Sequence, residues 1–135
     1  MSATITDAYI LLRLHSETLT VPELKALASL TPTETGAKGT RVRPQTSELP
    51  AHYISLSTEG LSQSKDLNDH IRELSQRLPT GSLAERLTEF DVLAYLTIYW
   101  WTTEETNFHL TVESLTRLSG IGIPAHFSFM VDPAS

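Results

Sequence analysis

The stretch from Asp91 to Trp101 constrains this chain more than any other. It is dense in Val, Leu, Tyr, Ile and Trp, the residue types that pack well in strands. Successive side chains of a strand point to opposite faces. Val92, Ala94, Leu96 and Ile98 therefore form one aliphatic face, and Tyr95, Thr97, Tyr99 and Trp101 form an aromatic one. Such a strand belongs in a sheet whose aliphatic side is covered by other elements.

Three further segments share this alternation. Residues 8–15 place Ile10, Leu12 and Leu14 on one face, His52 to Ser57 places Ile54 and Leu56 there, and Ala125 to Val131 alternates Phe127, Phe129 and Val131 with His126, Ser128 and Met130. Between them lie helical patterns. Thr20 has the spacing of an N-cap, with Glu23 at the capping-box position and Pro22 in the first turn, and Leu24, Leu27 and Leu30 form a stripe behind it. Leu67, Ile71, Leu74 and Leu78 mark a second helix, stopped by Pro79 and Gly81. Ser82 with Glu85 opens a third on Leu83, Leu87 and Phe90. A polar connection over residues 102–107 leads into a strand at Phe108-His-Leu-Thr111, and a last helix runs on Val112, Leu115 and Leu118 to Gly120.

The expected fold is α+β, a mainly antiparallel sheet with helices packed on one face. With 135 residues the chain fits one domain, with an ordered core over about 8–131 and a long Pro- and Gly-containing loop at 31–50. Leu19-Thr-Val-Pro-Glu-Leu-Lys-Ala-Leu27 echoes Leu110-Thr-Val-Glu-Ser-Leu-Thr-Arg-Leu118 without a gap, which suggests two pseudo-repeated strand–helix–strand units.

The net charge of −6 argues against bulk electrostatic binding to nucleic acid or anionic membrane. The absence of cysteine excludes disulfides, thiolate metal sites and Cys nucleophiles. No stretch approaches the roughly 20 apolar residues of a spanning helix, and Met1 to Asp7 has neither a basic nor an apolar leader region, so a cytoplasmic location is expected.

Catalytic signatures are missing. Gly36-Ala-Lys-Gly-Thr40 lacks the spacing of a phosphate loop and follows a helix, so it reads as a turn. His15, His109 and His126 fall on one expected sheet face, where three imidazoles could in principle hold zinc; half-exposed histidines on a sheet explain them more simply. Glu85, Glu89 and Asp91, and the pair Glu104-Glu105, read as solvated acids. The expectation is a protein without catalytic activity, cofactor or metal.

The order of these elements resembles a family of small bacterial domains designated domain of unknown function four-two-seven-nine. The resemblance rests on the opening strand Tyr9-Ile-Leu-Leu-Arg-Leu14, the turn Thr31-Pro-Thr-Glu-Thr-Gly-Ala-Lys-Gly39, the helix before the long strand, and the closing His126-Phe-Ser-Phe129. It covers about residues 8–131. The resemblance implies no catalytic motif, and domains of this type beside toxin genes imply an immunity protein.

The second sheet face is what rises above an ordinary small domain. Tyr9, Arg13, His15, Tyr53, Tyr95, Tyr99, Trp101, His109 and His126 all fall there, including every tyrosine of the chain. Solvated faces of antiparallel sheets usually carry Thr, Ser, Lys and Glu. Interfaces prefer Tyr, Trp and Arg. The expected contacts with a protein partner are Tyr53, Tyr95, Tyr99 and Trp101, with Arg13 and the loop residues Lys38, Arg41 and Arg43 at the rim. Three alternatives use the same face: a second core under the 31–50 loop, the floor of a small-ligand or regulatory pocket beneath that loop, and a homodimer contact. A stacking platform for RNA is disfavoured by the acidic balance. The reading expects immunity to a toxin domain, with the small-ligand module second.

Overall fold

The computed structural model describes residues 5–41, 48–78, 83–102 and 109–131. It contains strand β1 (Ile5–Ser16), helix α1 (Val21–Ala28), β2 (Glu34–Gly36), β3 (His52–Ser57), α2 (Leu67–Arg77), α3 (Leu83–Leu87), β4 (Leu93–Thr102), α4 (Val112–Ile121) and β5 (Ala125–Val131). The five strands form one sheet in the order β2-β3-β1-β4-β5. β1 is antiparallel to both β3 and β4, β2 is antiparallel to β3, and β4 and β5 are parallel.

Register aligns the aliphatic positions across the sheet. Leu12 lies opposite both Leu56 and Leu96, Leu14 opposite Ile54 and Ala94, and Ile10 opposite Ile98. These residues meet Leu24 and Ala28 of α1, Ile71 and Leu74 of α2, Leu83 and Leu87 of α3, and Ile121 of α4 in one core. The helices therefore make a single layer on one side, and the α+β architecture follows from the strand phases.

Local chemistry sets the helix ends. Thr20 accepts the Glu23 amide while the Glu23 carboxylate accepts the Thr20 amide, closing a capping box. Asp66 caps α2 and Thr111 caps α4. Gly122 ends α4 at φ 72°, a left-handed conformation in which glycine avoids the Cβ penalty. No helix among the described residues is long and apolar enough to cross a membrane.

Three expectations need correction. The 31–50 loop contains β2, which hydrogen-bonds to the edge of β3 with Thr35 opposite Ile54. Residues 109–111 are not a strand, because Thr111 turns to cap α4; Phe108 lies outside the described residues, as do Pro79, Gly81 and Ser82. Val112 and Leu115 do not mark the buried side of α4: both are exposed, while Ser114 and Ile121 are buried. α4 packs on α2, and β5 remains a sheet edge on which Phe127 and Phe129 are about half exposed. In the sheet, α1 leads from β1 to β2, parallel strands with β3 between them, and α4 leads from β4 to its parallel neighbour β5.

Sequence reading passed over His70 at the centre of the helix layer. Its Nε2 lies 2.6 Å from the Ser64 carbonyl, which can only accept, so Nε2 carries the proton. Nδ1 then accepts from the Thr58 hydroxyl at 2.7 Å, and that oxygen in turn accepts the Ile10 amide at 2.8 Å. The chain of bonds ties α2 to β1 through the residue that follows β3. His70→Ala is expected to lower the unfolding free energy by about 2–4 kcal/mol, combining a cavity with unpaired buried polar groups. Urea unfolding tests this, and a loss below about 0.5 kcal/mol, the scale of ordinary surface substitutions, would contradict it.

Candidate functional site

The register that builds the core also assembles the opposite face. Tyr9 lies across from Tyr99, and Asp7 across from Trp101. Antiparallel partners on one face stand close enough for large rings to meet. Tyr9 stacks on Tyr99 with centroids 4.7 Å apart, Tyr99 on Trp101 at 5.5 Å with planes 9° apart, and Tyr9 on Trp101 at 5.7 Å. These three rings form a continuous platform, each half-buried, on the sheet face opposite the helix-side core.

A second grouping lies further along β1 and β4. The Tyr95 ring stands between His15 at 5.9 Å and His126 at 6.1 Å, both edge-on. Beside it the Arg13 guanidinium lies 4.1 Å above the Tyr53 ring. The Tyr53 hydroxyl donates to Glu34 on β2. A Cβ at Gly36 would come within 2.2 Å of the Tyr53 ring and 2.8 Å of Leu49, so glycine is required where β2 passes Tyr53.

Residues 49–51 return over this end of the face. With Arg13, His15 and Tyr53 they enclose an open cleft of about 330 Å³, including its mouth. Residues 49–51 thus cover the Tyr53 end and not the platform end.

The expected contact residues divide accordingly. Tyr99 and Trp101 are in the platform, and Tyr95 and Arg13 are half-buried beside it. Tyr53 is buried at 7% exposure, so it forms the cleft floor and is not a reachable anchor. Lys38 and Arg41 are exposed, but they do not rim the platform. The Lys38 amide donates to His52 Nδ1, and His52 lies opposite Ser16 at the far end of β1 from Tyr9. Ser16 is seven steps along the strand from Tyr9, about 23 Å at the usual rise. Arg43 lies outside the described residues.

His109 is not on this face, because it precedes α4 and its carbonyl accepts from Asn68. His15 and His126 are kept apart by Tyr95. Among the described residues no group of three or more His, Cys, Asp or Glu could hold a metal ion. Glu85, Glu89 and Asp91 are exposed on α3 and the turn after it, and Glu104 and Glu105 lie outside the described residues. Sequence reading missed Leu49, Pro50 and Ala51, whose one signal was an apolar residue in an otherwise polar loop.

Two tyrosines ionise above their ordinary value of 10.0. Burial is the main cause at Tyr9, followed by the charge of Glu59. Burial again leads at Tyr53, then its bond to Glu34, with Arg13 pulling the other way. An acid whose pKa is raised by folding contributes stability that is complete below its unfolded pKa and lost as pH rises through the folded one. Stability should therefore fall as pH climbs past about 10, the unfolded tyrosine value. Tyr9→Phe and Tyr53→Phe should each remove a late-titrating component from the phenolate absorbance. A native titration in which every phenol ionises around the ordinary value of 10.0 would contradict this.

Together these features define a two-layer α+β domain, with helices on one side of the sheet and a stacked aromatic platform on the other. The chain belongs to the family described as a domain of unknown function (DUF4279), which matches residues 6–132. Neither the curated proteins nor the solved structures provide a significant match.

Proposed function

We propose that this domain is a non-catalytic protein-binding module, and that it serves as a cytoplasmic immunity protein that binds and neutralises a bacterial toxin. The observation that carries the proposal is the stack of Tyr9, Tyr99 and Trp101 on a sheet face that no helix among the described residues covers. Leaving three aromatic rings beside water forgoes the favourable burial of their remaining apolar surface. A partner that covers them recovers it, and rings already held by stacking lose little rotamer freedom on binding. The charge of −6 supports the choice of partner, since steering would speed association with a basic effector. Resemblance to domains found beside toxin genes adds an argument by association.

Capture followed by a growth assay tests the reading. Tagged protein from a native lysate should retain a stoichiometric polypeptide that a Tyr99→Ala, Trp101→Ala double variant releases. Expression of that polypeptide alone should arrest growth, and co-expression of this protein should restore it. A polypeptide that is retained but harmless would keep the binding module and reject immunity. Two folded baits that retain nothing would reject both.

A further inference from the structure

We propose that the cleft beneath residues 49–51 is a carboxylate-binding subsite with Arg13 as its cation. The inference stands on this cleft alone and does not depend on the platform.

Four other arginines among the described residues have polar partners. Arg72 meets Asp69 and Glu113, Arg77 meets Glu73, Arg117 meets Glu113, and Arg86 donates to the Leu27 carbonyl and Ser29. Arg13 has no ion pair among the described residues, and it meets no acceptor apart from the Tyr53 phenol on which it lies. Its Nε is shut off from water with no hydrogen-bond partner at all. A carboxylate in the cleft would therefore be met by the terminal guanidinium nitrogens, with Nε–H behind them as the reporter of its arrival. Glu34 is the nearest acid across Tyr53, but it accepts the phenol proton and forms no ion pair with Arg13.

The surroundings fit an anion of limited size. Stacking on Tyr53 fixes the plane of the guanidinium, so less side-chain freedom remains to be lost when a ligand binds. His15 offers a second nitrogen from the neighbouring position on the same face. Leu49, Pro50 and Ala51 supply an apolar wall that strengthens an ion pair by excluding water. The cleft is small and open at its mouth, so it suits a short organic acid or one aspartate or glutamate side chain and not a nucleotide. A planar carboxylate matches the guanidinium fork in two parallel bonds.

Nuclear magnetic resonance of the Arg13 Nε–H, read during separate titrations with succinate and with end-blocked glutamate, tests the assignment against sodium chloride at matched ionic strength. Saturable shifts should appear with carboxylate and not with chloride. Arg13→Gln should abolish the corresponding shifts of the Tyr53 and His15 signals. Arg13→Lys, which keeps the charge and loses the fork, should weaken binding by about tenfold. Equal affinity for the two probes would assign the subsite to an acidic side chain of a partner, and a preference of more than about tenfold for succinate would assign it to a free acid. Either result supports the proposal. A response to carboxylate that matches chloride, or that persists in a folded Arg13→Gln protein, overturns it.

Discussion

Replacing Tyr99 or Trp101 by alanine is expected to weaken partner binding by about 2 kcal/mol or more while the protein stays folded. Tyr99 touches both other rings of the platform, and Trp101 lies nearly parallel to it. Neither ring enters the helix-side core, whose members from β4 are Leu96, Ile98 and Trp100. Truncation removes contact area from a partner and also unfixes the rings that remain. The cost to the free protein should stay near the value of lost stacking, about 0.5–1.5 kcal/mol per ring pair. Calorimetric titration with the captured partner measures the first quantity, and urea unfolding the second. Binding of a folded Tyr99→Ala protein at wild-type affinity would remove the platform from the interface. Unfolding of either single variant would show that the face acts as a second core.

Leu12→Ala is expected to have the largest effect on stability, a loss of about 3–5 kcal/mol. Leu12 is fully buried in the central strand, between Leu56 of β3 and Leu96 of β4. Antiparallel neighbours on both sides restrict the backbone, so the site collapses poorly around a cavity. Small domains are stable by only about 5–15 kcal/mol, so much of the total is at stake. Leu115→Ala gives the contrast. It lies on the exposed side of α4 and should change the urea midpoint by less than about 0.5 kcal/mol equivalent. Similar losses at the two positions would contradict the assignment of the core to the inner sheet face.

The strand faces were legible because alternation is a local property. Residues 52–57 and 125–131 have the strand limits expected from the pattern, and the helix-facing and aromatic faces of β1 and β4 divide as their phases predict. Pairing is not local. Nothing in Ala125 to Val131 states that this strand runs parallel to β4 or that it closes one edge of the sheet. β2 was missed because Glu34-Thr-Gly36 is too short to show a period, and its place depends on the β3 edge. Phe108 to Thr111 alternates convincingly, yet the capping chemistry of Thr111 governs its end.

The same division runs through the candidate site. That Tyr99 and Trp101 share a face was evident from their spacing; that Tyr9 would complete the stack required the β1–β4 register. Tyr53 carried the same alternation signal as Tyr99 and met a different fate, because β2 and residues 49–51 close over it. Arg13 looked like a rim cation in sequence. Its stacking on Tyr53 depends on β1 lying beside β3.

The most direct measurement is hydroxyl-radical footprinting of the protein alone and bound to its captured partner, read at Tyr9, Tyr99 and Trp101. Oxidation of all three rings should be reduced in the complex, while exposed helix-layer positions such as Val112 and Leu115 should react as before. Unchanged oxidation of the platform with protection on α4 would place the partner on the helix side and contradict the account.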